Sequence, residues 1–238
     1  LMIRISPLDK ERIAVHNTGL HIINTKNGKR KNLFIPYKHK EYQYKFNSIE
    51  RVKGDAAGNA YLLTRSGFYH FDKNYNLLYR FDYFSEKDLA GQHFHFGSDL
   101  IELDNERLLI AARGVFYIYY KSKKNLNKIG SSEINGLNEF LPDKKDHRVF
   151  EFLPGHFFIP KINTDSIVYI NVAQNKKVIS KAPFIIDVNT IQWRSKLVPV
   201  NDSIFLLTSQ TAGFYKLKWN RTTGVIELFS EKYFPGYL

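Results

Sequence analysis

The 238-residue chain contains no cysteine, one methionine and two tryptophans. Without a thiol it has no disulfide, no thiolate metal site and no cysteine nucleophile. That absence fits several compartments, the bacterial periplasm among them. No apolar run reaches the roughly 18–20 residues of a membrane-spanning helix. The opening LMIRISPLDK lacks the charged region and long apolar core of a signal peptide, and reads as a strand. This is the pattern of a processed, trimmed or partial chain. Helical periodicity is scarce: SEKDLAG at 85–91 and SSEINGLNEFL at 131–141 are short candidates. Neither a phosphate-cradling glycine loop nor a nucleophile elbow is present, and no cofactor is expected.

What the chain has in quantity is aromatic residues (15%) and positive charge, with a formal net charge of +12. The basic clusters are KNGKRKN at 26–32, YKHKEYQYK at 37–45, KSKKNLNK at 121–128 and DKKDHR at 143–148. They are dispersed and sit in turn-like stretches, whereas a nucleic-acid groove concentrates charge on one face. A solvated basic surface is therefore expected and a nucleic-acid partner is not favoured. A polyanion- or protein-binding scaffold stays open as an alternative.

The sequence repeats itself. ERIAVHNTGLHIIN (11–24), GNAYLLTRSGFYHFD (58–72), ERLLIAARGVFYIYY (106–120), GHFFIPKINTDSIVYIN (155–171) and DSIFLLTSQTAGFYKLK (202–218) share one pattern. Each is an apolar strand, a short break and a second strand rich in aromatic and β-branched residues. The break glycines Gly19, Gly67, Gly114 and Gly213 are separated by 48, 47 and 99 residues, the last being two periods; Thr164-Asp165 takes the place of glycine in the fourth copy. A lead-in strand precedes each hairpin: LMIRISP, SIERVKG, DLIELDN, RVFEFLP and KLVPVND. Turns such as NTKNGK, DKNYN, NVAQNKK and NRTTG follow, then polar outer strands such as KNLFIPY, LLYRFDYF and VIELFSEKYF. Four antiparallel strands in about 48 residues cannot bury both faces alone, but stacked sheets cover one another. The expected fold is all-β, a β-propeller forming one domain. Its blades are expected at about 1–40, 41–84, 85–130, 131–182 and 183–238. The five blades are read as part of a larger propeller, with five-blade closure as the alternative.

GDAAGNAYLLTRSGFYHFDKNYNLLYRFD, residues 54–82, resembles the two-component regulator propeller repeat of bacterial histidine-kinase sensor regions. The shared pattern is Asp, Gly-Asn, an aromatic-aliphatic strand, Thr-x-x-Gly, an aromatic strand and Phe-Asp. The second-strand tryptophan usual in that family is replaced here by Tyr61, Leu108 or Phe205. The resemblance implies a periplasmic or extracellular location and a signal, often a polysaccharide fragment, passed through a membrane helix to a kinase. No such membrane segment is present in this sequence.

Propeller ligands meet the face near the central channel, where the lead-in segments lie. Those segments are YQYKFNS, GQHFHFGSD, PDKKDHR and TIQWRSK. Their aromatics offer stacking surface, and their Arg, His and Asn offer hydrogen bonds. The recognition candidates are Tyr44, Asn47, His93, His95, Arg148, Trp193 and Arg194; the alternative role for these side chains is to seal joints between blades. His93 and His95 share a strand face, but no third metal ligand is marked by spacing. Glycoside hydrolysis would require paired acids, for which Asp99, Asp146 and Glu151 are available. Asn220-Arg-Thr is a glycosylation sequon that reads better as a hairpin turn. The function expected is non-catalytic recognition of a small-molecule or oligosaccharide ligand, with a protein partner or a self-dimer as further partners. A glycoside-processing enzyme is the alternative.

Overall fold

The computed structural model describes residues 4–16, 19–33, 49–64, 67–82, 98–112, 115–129, 134–137, 148–187, 191, 195–209 and 213–229. These residues form five four-stranded sheets, each with its strands in sequential order and every neighbouring pair antiparallel. They are the blades of a β-propeller. The chain divides into two compact units, residues 1–94 and 95–238.

The first unit holds two sheets. One consists of β1 (Arg4–Pro7), β2 (Arg12–His16), β3 (Leu20–Asn24) and β4 (Arg30–Leu33). The other consists of β5 (Ile49–Gly54), β6 (Ala60–Thr64), β7 (Gly67–Phe71) and β8 (Leu77–Asp82). The side-chain period of two decides their packing. Ala14, Leu20 and Ile22 of the first sheet pack against Val52, Ala60, Leu62, Tyr69 and Phe71 of the second. Tyr61, Leu63, Phe68 and His70 point to the opposite face and are equally buried. The Tyr61 ring stacks 4.5 Å from that of His70, and its hydroxyl donates to Asp55.

The second unit holds three sheets. These are β9 (Ser98–Glu102), β10 (Arg107–Ala112), β11 (Val115–Tyr120) and β12 (Asn125–Lys128); β13 (Phe150–Leu153), β14 (His156–Pro160), β15 (Thr164–Asn171) and β16 (Lys176–Ile186); and β17 (Leu197–Pro199), β18 (Ile204–Ser209), β19 (Gly213–Trp219) and β20 (Ile226–Phe229). One core joins Leu109, Phe116 and Ile118 to Phe157, Ile159, Val168 and Ile170. A second joins Phe158, Ile167 and Tyr169 to Phe205, Leu217 and Trp219. Phe152 lies flat on Trp219, with centroids 4.4 Å apart and planes 2° apart.

Within the described residues, every lead-in, hairpin and outer strand expected from the repeat is present, with four local differences. Gly67 opens β7 without a left-handed backbone; it is required because a Cβ there would lie 2.4 Å from the Phe81 carbonyl oxygen. In the fourth sheet the left-handed position is Asn163 (φ 64°), so Thr164 already belongs to β15. Asn tolerates that region better than other non-glycine residues. The basic stretch 121–128 is turn only in its first half, and Asn125–Lys128 is strand β12. The expected boundary at 182 falls inside β16, which runs to Ile186 through an irregularity opposite Thr164–Ser166 and carries Pro183 on this outer strand. Of the two helix candidates, 85–91 lies outside the described residues. Residues Ile134–Leu137 of the other form a single tight turn, whose Ile134 and Leu137 plug the core between the third and fourth sheets. Among the described residues no helix is long and apolar enough to cross a membrane.

Candidate recognition surface

Antiparallel order places the first and third turns of each sheet at one end and the lead-in segment with the second turn at the other. Arg148 stands just before β13, Asp99 is the second residue of β9, and Ser195 stands just before β17. The lead-ins of three consecutive sheets therefore bring them together, 49 and 47 residues apart in sequence. Arg148 Nε donates to Asp99 Oδ2 at 2.8 Å, and Nη2 donates to Asp99 Oδ1 and to the Ser195 carbonyl, each at 3.1 Å. The Val149 amide donates to Asp99 Oδ2 at 2.9 Å, and the guanidinium lies over the Phe150 ring. The side chains are 3% and 5% exposed. A planar guanidinium matches a carboxylate through two parallel bonds, which makes this a geometrically specific, desolvated pair. Arg148 thus directs its charge at Asp99 and at backbone.

Tyr44, Asn47, His93, His95, Trp193, Arg194 and Asp146 lie outside the described residues. Of the remaining acids, Glu102 pairs with Lys121 at 2.8 Å, and Glu151 accepts the Glu102 amide at 3.3 Å. No group of three metal-ligating side chains occurs among the described residues.

The opposite end of the sheets is built by a turn lock that the hairpin pattern did not disclose. Asp9 Oδ1 accepts the amides of Glu11 and Arg12, and Arg12 Nε donates to Asp9 Oδ2 at 2.6 Å. Asp104 treats Glu106 and Arg107 identically. Asn201 accepts the amides of Ser203 and Ile204 in the fifth sheet, and Asp55 holds Asn59 in the second. The sequence signal was available: Leu8-Asp-Lys-Glu-Arg12 and Leu103-Asp-Asn-Glu-Arg107 lie 95 residues, two periods, apart. Burial alone would raise the pKa of Asp9 and Asp104, but bonds from backbone amides and the adjacent arginine outweigh it and hold both below the ordinary carboxylate value.

Charge is sorted at this end. Apart from Lys10, the charges of the first turns are the acids Asp9, Glu11, Asp55, Asp104, Glu106 and Asp202; apart from Asp72, those of the outer turns are the bases Lys26, Lys29, Lys73, Lys121, Lys123, Lys124 and Arg221. Side chains stitch one turn to the other in the first, third and fifth sheets: Lys26 to Glu11 at 2.6 Å, the Ser122 amide to Glu106 at 2.9 Å, and Arg221 Nε to the Asp202 carbonyl at 2.9 Å. Asn24, Asp72 and Asn220 also lock their own outer turns through backbone amides. Lys29, Lys73, Lys123 and Lys124 are exposed on these locked hairpins, Lys123 with its ammonium 5.6 Å from the centre of the Tyr120 ring.

These features define a propeller scaffold whose exposed charge stands on locked turns. Neither the known family models nor the curated proteins offer a match to the sequence. Solved structures do, among them β-propellers and WD40 repeats. Kluyveromyces lactis Hsv2 is similar at 14% identity and a TM-score of 0.53, over 94% of this chain and 62% of that one. The β-propeller domain of Myceliophteria thermophila Cps50 (Swd1) is similar at 11% identity and 0.59, over 92% and 66%. The WD40 repeats of RRP9 are similar at 8% identity and 0.57, over 92% and 62%. The chain thus spans somewhat under two thirds of the length of these structures.

Proposed function

We propose that the chain is a non-catalytic recognition scaffold whose turn end binds an acidic surface of a protein partner. One observation carries this reading: exposed lysines stand on outer turns already fixed by side-chain-to-backbone bonds. Preorganised turns lose little freedom on binding, which leaves more of the contact energy as affinity. Net positive charge adds electrostatic steering of an acidic partner. Similarity to a chain of the Mitotic Checkpoint Complex, an assembly, at 13% identity and a TM-score of 0.56, is in keeping with a protein partner.

The finer reading is an extracytoplasmic sensor region of a two-component protein with an oligosaccharide ligand at the lead-in end. It is supported by the repeat motif at 54–82 and by the aromatic lead-ins with Tyr44, Asn47, His93, His95, Trp193 and Arg194. Immobilised protein challenged with acidic peptides and with a panel of oligosaccharides separates the two readings. Salt-sensitive retention of acidic peptides, lost in the double variant Lys123→Glu/Lys124→Glu, is expected. Saturable oligosaccharide binding with no peptide retention would replace the first reading by the second.

A further inference from the structure

Eight large hydrophobic side chains are exposed among the described residues, and five of them lie on two sheet faces. In the fifth sheet, Val198, Val200, Val225 and Phe229 are 42%, 58%, 40% and 37% exposed. The register puts them on one face with Ile204, Leu206, Lys216, Lys218 and Glu227, opposite to the face that packs on the fourth sheet. In the first sheet, Ile5 is 61% exposed and shares a face with Pro7, Ile13, Val15, His21, Ile23, Arg30 and Asn32. This is the face turned away from the second sheet. Contiguous apolar surface of this kind on a folded sheet marks a docking site.

The packing already present in the chain states what such a face accepts. Between the fourth and fifth sheets, first strand lies beside first strand, β13 by β17, and outer strand beside outer strand, β16 by β20. Applied once more, that rule sets the free face of a fifth sheet against the free face of a first sheet. Val198 and Val200 of β17 and its following turn then meet Ile5 and Pro7 of β1, and Ile204 and Leu206 of β18 meet Ile13 and Val15 of β2. On the outer strands Glu227 of β20, which stands between the exposed Val225 and Phe229, meets Arg30 of β4. Lys216 and Lys218 of β19 then lie over His21 and Ile23 of β3, whereas two fifth-sheet faces stacked strand over like strand would set those lysines against each other, so like-with-like pairing is disfavoured.

We propose that these faces dock on each other between two copies of the chain, the fifth sheet of one copy on the first sheet of the next. The contact is heterologous, so each copy keeps one face free and association can continue beyond two. Sedimentation of the 238-residue chain over a range of concentrations tests this. Average mass is expected to rise with concentration past that of two copies. Val198→Glu and Ile5→Glu each remove one face and leave a monomer, because each change buries a carboxylate in the contact. An equimolar mixture of the two variants still offers one intact pair of faces and is expected to stop at a dimer. A single-copy mass at every concentration would overturn the proposal, as would an Ile5→Glu variant that associates as the parent does. Circular dichroism confirms that each variant is folded. Should either fail that check, the charge swap Glu227→Arg with Arg30→Glu decides: each alone weakens association, and the two together in one chain restore it. A pair that gives no restoration contradicts the stated register.

Discussion

The junction between the first two sheets and that between the third and fourth share one local device. In each, a Leu-Asp-x-Glu-Arg turn closes on its own aspartate, and the leucine carbonyl presses on a glycine of the following sheet. A Cβ at Gly54 would lie 2.1 Å from the Leu8 oxygen, and one at Gly155 would lie 2.8 Å from the Leu103 oxygen. The ties across the two junctions differ. In the first, Arg12 reaches over to the Tyr75 hydroxyl at 2.9 Å and the Gly58 carbonyl at 3.1 Å, while Lys31 Nζ reaches the Asn74 carbonyl and sits 4.6 Å from the centre of the Tyr75 ring. In the second, the buried Asp99–Arg148 pair holds the other end of the sheets, and the inserted turn at Ile134–Leu137 fills the core. Turn chemistry repeats with the sequence period, whereas the bonds between neighbouring sheets are particular to each junction.

The comparison can be broken most severely at the buried pair. Arg148→Ala leaves Asp99 charged and desolvated and is expected to cost about 3–5 kcal/mol in urea unfolding. The double replacement Arg148→Met/Asp99→Leu removes both charges and is expected to recover most of that loss. Next come the glycine contacts. Gly54→Ala and Gly155→Ala should each cost about 1–3 kcal/mol through overpacking against backbone. Gly155 (φ 76°) adds about 1–2 kcal/mol for its left-handed backbone. Asp9→Ala and Asp104→Ala are expected to cost about 1 kcal/mol each, reduced from the full value of a charged hydrogen bond because both carboxylates are partly solvated. The first should be the larger, since Asp9 also positions the arginine that crosses to Tyr75. Tyr75→Phe, which removes that crossing bond alone, is expected to cost under about 1 kcal/mol. Equal effects of the two aspartate variants would mean that the Arg12 bridge contributes nothing.

Acid separates the two units by a different route. Burial, and then the nearby Arg221, hold His156 below the ordinary imidazole value, and its Nδ1 is hydrogen-bonded with the Tyr169 hydroxyl at 2.7 Å. The unfolded chain takes up this proton more readily, so the contribution of His156 is complete above pH about 6.5 and fades as pH falls towards its folded value. Asp9 and Asp104 lose theirs only below about pH 4, where their unfolded forms protonate first. Urea midpoints measured from pH 8 to pH 3 should therefore decline in two stages, the first absent in His156→Gln.

The strands were legible because aromatic and β-branched runs alternate with turn residues at a fixed period. Asn163 was missed because the break in the fourth copy was sought at Thr164-Asp165, one residue too late. Gly67 was misassigned because its constraint comes from the Phe81 carbonyl on another strand, which a local pattern cannot display. The candidate site was less legible. The lead-ins marked Arg148 as a charged residue near the first strands, but its burial depends on Asp99 one period earlier and Ser195 one period later. Aligning the repeats by position, rather than by hairpin, would have set an acid and a base in register. The Asp9 and Asp104 locks were equally visible by that route.

Hydrogen exchange of Arg148→Ala tests the central comparison most directly. The account predicts lost protection at Val149 and along β9 and β13, with the Glu11 and Arg12 amides at the Asp9 lock unchanged. Uniform loss across both units, or no loss at Val149, would contradict it.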